Sequence, residues 1–187
     1  MGLAEVFHAE VLRADIRSLR DVFIDELKDL MSAEEQLVRA LPLMAERATN
    51  PRLKDVFFKH ADETKNHVLR LERIGTILKE RLAGQKCNTM ASLIAEGDDT
   101  THQSAGASGD VLIDSLLVGD ARKVEHHEIA AYENACALAA RLEETEVLAM
   151  LQETLREELL ANDDLRLIRE EEILPAAYEP SSDRLRS

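Results

Sequence analysis

Apolar residues recur along most of this chain every three or four positions, the spacing of one face of an α-helix, and strict alternation is rare. The pattern predicts four long helices. The first runs from about Ser18 to Ala48, with Asp15 and Ser18 as candidate N-caps and Pro42 as a candidate kink. Asn50-Pro51 stops that helix and starts the next, because proline is tolerated in a first helical turn. The second helix is expected from Pro51 to about Leu82, closed by Gly84. The third runs from Asp110 to about Leu142. An acidic turn, Glu143 to Glu146, leads into a fourth that ends before Pro175.

Residues 84–110 differ in character. One short helix, about Asn88 to Ala95, is expected there, with Gly97, Gly106 and Gly109 and Ser104 and Ser108 marking loop around it. So long a connection implies a crossover between two helical hairpins. The predicted fold is all-α: an arm or extra helix over residues 1–17, a four-helix bundle over 18–175 with a long crossover between helices 2 and 3, and a flexible polar tail over 176–187. The two hairpins have similar lengths and central Glu residues, a faint internal repeat.

Rotating each helix by about 100° per residue shows which polar residues share the apolar stripe. On the first helix Glu34 lies among Phe23, Leu27, Leu30, Met31, Leu37, Val38 and Leu41. On the second, His60, Glu63 and His67 interrupt Leu53, Val56, Leu71, Ile74 and Leu78. His60 and Glu63 stand three apart, Glu63 and His67 four apart, and both spacings bring two side chains to one face. On the third, Glu125 and Glu128 fall among Leu117, Val118, Ala121, Tyr132, Ala135 and Ala139. On the fourth, Glu158 is central among Val147, Leu151, Thr154, Leu155, Leu165 and Ile168; Asn162 follows one turn later, and Glu157 and Asp163 are lateral.

A single Glu on an apolar stripe is ordinarily an edge residue whose head reaches water. A central Glu on each of four helices calls for a common cause. Five carboxylates cannot all ionise side by side in a dry core. Two divalent cations, bringing about +4, remove the conflict, and ferritin-like di-iron and di-manganese proteins use carboxylates and imidazoles from four helices in this way. The expected ligands are Glu34, Glu63, His67, Glu125, Glu128 and Glu158, with His60, Asn162 and Tyr132 as further ligands or hydrogen-bond partners. Imidazole beside carboxylate suits iron or manganese rather than magnesium or calcium. His8, His102, His126 and His127 read as surface residues.

Composition narrows the classes further. Aromatics are 3% of residues and Gly and Pro number 7 and 4, which favours helix over strand. The net charge of −14 repels phosphates, so neither nucleic acid nor an anionic membrane is expected as a partner. Cys87 and Cys136 have no metal-ligand or CxxC spacing and read as reduced thiols. The N-terminal residues lack the apolar run of a signal peptide, and no stretch approaches the roughly 20 apolar residues of a membrane span. A cytoplasmic protein is expected.

In Phe23 to Leu37 (FIDELKDLMSAEEQL), His60 to Thr64 (HADET), Leu71 to Ile74 (LERI), Cys87 to Gly97 (CNTMASLIAEG), Lys123 to Tyr132 (KVEHHEIAAY) and Thr154 to Glu158 (TLREE), the chain resembles the YciE/YciF family of ferritin-like proteins. The resemblance implies a rubrerythrin-related bundle, a homodimer, a link to bacterial stress responses and ferroxidase activity. It places Glu34, Glu63, Glu125 and Glu158 at the family's central carboxylates. Asn162 stands where relatives carry an acid, and the Glu-x-x-His pairs of ferritin are absent, since Asn66 and Ala161 occupy those positions.

The leading expectation is a di-iron oxidoreductase that oxidises Fe(II) with O₂ or peroxide. Manganese-dependent peroxide dismutation would use the same ligands. A stress or scaffold protein whose site is merely structural is the alternative from another class, and nothing in the chain signals a large storage shell.

Overall fold

The protein's structure, a computed structural model, describes residues 16–104 and 110–178. The arm through residue 15 with His8, the loop markers Gly106, Ser108 and Gly109, and the tail beyond Tyr178 lie outside them. The elements are α1 (Leu19–Arg47), α2 (Pro51–Leu78), α3 (Asn88–Ser104), α4 (Asp110–Arg141) and α5 (Thr145–Ile168), which continues through a π-helical turn (Arg169–Ile173) into α6 (Leu174–Ala177). Among the described residues there is no strand.

Local chemistry sets the ends. Ser18 accepts a hydrogen bond from the Asp21 N–H, and Asn50 accepts one from the Leu53 N–H with Pro51 in the first turn. The connection between α1 and α2 is fastened to α4 by buried Asp114, whose carboxylate accepts from the Thr49 N–H and hydroxyl and from the Asn50 N–H at 2.6–2.8 Å.

Three boundaries differ from the sequence reading. α2 ends at Leu78 rather than near Leu82, because Lys79 takes the left-handed conformation (φ 59°) and the Glu80 N–H donates back to the Gly75 carbonyl. Gly75 makes this possible: a Cβ there would lie 2.8 Å from the Glu80 carbonyl oxygen. The short crossover helix is longer than expected, Asn88–Ser104, and runs through Gly97, where a Cβ would crowd the Asp120 side chain of α4 at 3.3 Å. Gly97 is thus a packing residue and not a loop marker. The last helix does not stop before Pro175; the π turn carries it to Ala177. α1 stays helical through Pro42.

The bundle is two hairpins, α1–α2 and α4–α5, with α1 packed on α4 and α2 on α5, while α3 lies on α4 and α1. Its core divides into two apolar clusters. One gathers the start of α1, the end of α2, the end of α4 and the start of α5, including Phe23, Leu78, Leu138 and Val147. The other gathers the opposite ends, including Leu41, Leu53, Leu117 and Ile168. The end of α2 and the start of α4 therefore lie at opposite ends of the bundle, and the crossover has to run its length. No described helix is long and apolar enough to cross a membrane.

Candidate metal centre

Between the two apolar clusters lies a belt of buried polar residues: Glu34 on α1, His60, Thr64 and His67 on α2, Glu125 and Glu128 on α4, Thr154 and Glu158 on α5. Each side chain is there because its helix turns the same face inward at that level. His60 and His67 stand two turns apart, so a single helix supplies both imidazoles.

Two groups of ligand atoms form. Glu34, His67 and Glu158 make one; His60, Glu125, Glu128 and Glu158 make the other, with Glu158 common to both, and within each the donor atoms lie within 4.8 Å of one another. His67 Nδ1 is 2.9 Å from Glu158 and 3.4 Å from Glu34. His60 Nε2 is 3.2 Å from Glu125 and 3.5 Å from the other oxygen of Glu158. Buried atoms of these six side chains have no hydrogen-bond partner: Glu34 Oε2, both nitrogens of His60, His67 Nδ1, Glu125 Oε2 and both oxygens of Glu128 and of Glu158. Buried polar groups are normally paired, so this convergence of unpaired atoms is able to accommodate a cation. Four carboxylates and two imidazoles fit a pair of divalent ions in charge and in donor type.

The remaining expected residues stand around this set. Tyr132 is fully buried, and its hydroxyl donates to Glu34 Oε1 at 2.5 Å, while Oε2 has no hydrogen-bond partner. Glu63 is brought into neither group. It is half-buried, with one oxygen 3.7 Å from His60 Nδ1 and the other 3.4 Å from Lys59. Asn162 also stands apart, accepting a hydrogen bond from Arg122 Nε at 3.1 Å. His126 is exposed, whereas His127, expected at the surface, is half-buried with Nε2 3.8 Å from the Cys87 sulfur. Cys87 and Cys136 are free thiols, as expected.

Sequence reasoning missed Glu157 and Arg70. Glu157 approaches His67 Nε2 at 3.0 Å, on the side of the ring away from the centre. Arg70 donates to the same Glu157 oxygen at 2.9 Å and to Thr154 at 2.6 Å. A carboxylate on the outer nitrogen fixes the tautomer and turns the other nitrogen toward a metal. Glu63 stands in the corresponding place beside His60. Replacing Glu157 by Ala is expected to weaken metal binding about 10- to 100-fold, read by competition against a chromophoric chelator; unchanged affinity would show that His67 is oriented by something else.

The electrostatics report what the cluster does without a cation. Burial pushes the carboxyls of Glu34 and Glu158 up, and burial with the charges of Glu158, Glu34 and Glu125 raises Glu128 well above the carboxylate range. Burial alone would lower both imidazoles, but the carboxylates outweigh it: Glu125 and Glu158 hold His60 well above its ordinary value, and Glu34 and Glu158 push His67 up to about 10. Burial and the neighbouring Glu34 raise the Tyr132 phenol as well.

The fold and this belt define a ferritin-like all-α bundle with buried His/Glu clusters able to hold a metal. The chain belongs to the family described as "Domain of unknown function (DUF892)", whose pattern matches residues 18–177. Protein YciF of Escherichia coli (strain K12) is 33% identical over 145 residues, covering 77% of this chain and 86% of that protein. The crystal structure of that E. coli stress protein superposes with a TM-score of 0.76 at 32% identity, over 81% of this chain and 94% of its own. YcfI of Rhodopseudomonas palustris gives 0.78 at 33%, over 81% and 95%. A two-domain protein from Anabaena variabilis, with DJ-1/ThiJ/PfpI-like and ferritin-like domains, matches at 0.56 and 17% identity, over 88% of this chain and 40% of its own, a likeness of fold alone.

Proposed function

We propose that this protein is a di-metal carboxylate oxidoreductase of the ferroxidase type that serves in a stress response. The observation that carries the reading is the set of unpartnered buried donors converging from α1, α2, α4 and α5. Iron bound there would supply the electron transfer to O₂ or peroxide. The chain's own part is to hold and insulate. Glu34, His67 and Glu158 would grip one ion, and His60, Glu125, Glu128 and Glu158 the other. Glu158, with one oxygen toward each group, would bridge. Tyr132 and Glu157 hold Glu34 and His67 in place, and the apolar clusters on both sides keep bulk water out.

The stress role is carried over from the E. coli relative, a stress protein. A cytoplasmic site of action, suited to two free thiols, and a homodimer belong to the same reading. Phe58 and Leu69 expose apolar surface on one face of α2, suited to a second copy. Manganese on the same ligands, dismuting peroxide, is a variant of this reading.

The test is to load the metal-free protein anaerobically with Fe(II) and then admit O₂ or peroxide. Rapid oxidation with about two Fe per chain is expected. No binding, or binding without accelerated oxidation by either oxidant, would leave a structural or scaffold role in its place.

A further inference from the structure

Beside the centre, between α1 and α4, lies a small cavity of about 40 Å³ lined by Glu26, Asp29, Leu30, Ala33, His127, Glu128 and Ala131. Its inner wall is Glu128, wholly buried, with neither carboxylate oxygen partnered. Its outer rim is half-buried Glu26, Asp29 and His127. Two carboxylates and an imidazole thus line the same cavity as a buried, unpartnered carboxylate. The space is large enough for a water or two, since one water needs roughly 10–15 Å³ measured this way.

The gap exists because two of its residues are alanines, Ala33 and Ala131, on facing helices. Gln85 donates to Asp29 at 2.9 Å, and Asn134 donates to Glu26 at 2.9 Å. The Gln85 amide positions the Asp29 carboxylate without cancelling its charge. The two apolar clusters cover the centre along the bundle axis, so a hydrated cation needs a side entrance lined with oxygen and nitrogen donors.

We infer that this cavity is the entry passage by which divalent cations reach the buried centre: Glu26, Asp29 and His127 capture the ion and Glu128 passes it inward. This rests on the di-metal reading above but adds Glu26, Asp29 and His127, which that reading does not use. Glu26, Asp29 and His127 act on the rate of loading and not on the capacity of the centre.

The experiment uses the full-length metal-free protein and Co(II), whose visible absorption reports entry into a protein ligand field. Stopped-flow uptake is compared for wild type, the double variant Glu26→Gln/Asp29→Asn, and Ala131→Leu, which fills the gap without touching charge. Both variants are expected to load about tenfold or more slowly, by loss of electrostatic focusing or by blockage, while reaching the wild-type Co(II) content at equilibrium. Unchanged rates in both variants would overturn the passage and leave the metal centre standing. A reduced final content in the double variant would make Glu26 or Asp29 a ligand and overturn it too. Failure of wild type to bind Co(II) at all would instead remove the centre on which the inference rests.

Discussion

Replacing Glu158 by Ala is expected to empty both metal positions at once, lowering affinity by more than the roughly 100-fold that loss of a supporting carboxylate alone can cost. Glu158 is the one residue common to both donor groups, with separate oxygens toward His67 and His60. Glu34→Ala should remove one ion and spare the other, because Glu34 belongs to a single group. Glu63→Ala should lower affinity only modestly, through His60. The contrast is read by metal content after loading and dialysis. Without metal, Glu158 both crowds the other buried carboxylates and pairs with the imidazoles of His60 and His67, so its removal relieves one interaction and breaks another. Melting the metal-free variant beside metal-free wild type separates loss of a ligand from loss of the fold: a cooperative transition is expected in both. Equal losses from Glu34→Ala and Glu158→Ala would contradict a shared, bridging carboxylate.

The second large effect is a pH dependence that reverses with metal. Without metal, the folded-state pKa values of His60, His67, Glu34, Glu128 and Glu158 are all raised. For a raised group the folded state binds more protons than the unfolded one, so stability falls as pH rises through the window between the two values. For His67 that window runs from its ordinary 6.5 to about 10. The metal-free protein should thus lose stability steadily from pH 6.5 to 9. A bound cation displaces those protons, so metal affinity, and the stabilisation it confers, rise over the same range. Thermal unfolding of metal-free and Mn(II)-loaded protein at both pH values reads the divergence, since about 1 kcal/mol moves the midpoint by roughly 3 °C in a chain of this size. Parallel curves for the two forms would mean that the cluster does not exchange protons for metal.

The helical period made the bundle legible, and with it the four residues Glu34, Glu125, Glu128 and Glu158, each central on a stripe and each fully buried. On α2, a stripe that takes Val56 as an inward residue leans toward Glu63, seven residues on. The structure buries Phe57 and Thr64 instead, which shifts the inward direction by tens of degrees at about 100° per residue. That shift turns Glu63 to the rim and brings both His60 and His67 fully inward. Glu157 was not legible because its importance lies in a partner on another helix, His67, and not in its own place on α5. The early end of α2 depended on a local cap in which Lys79, not a glycine, takes the left-handed conformation and the chain closes over Gly75.

Anomalous-scattering maps collected on either side of the iron and manganese absorption edges, from crystals of protein purified without chelator, test the centre most directly. A di-metal site requires two peaks inside the belt, one at Glu34, His67 and Glu158 and one at His60, Glu125, Glu128 and Glu158, with the edge naming the element. Maps without either peak in crystals soaked with Fe(II) or Mn(II), the six side chains holding only one another, would contradict it.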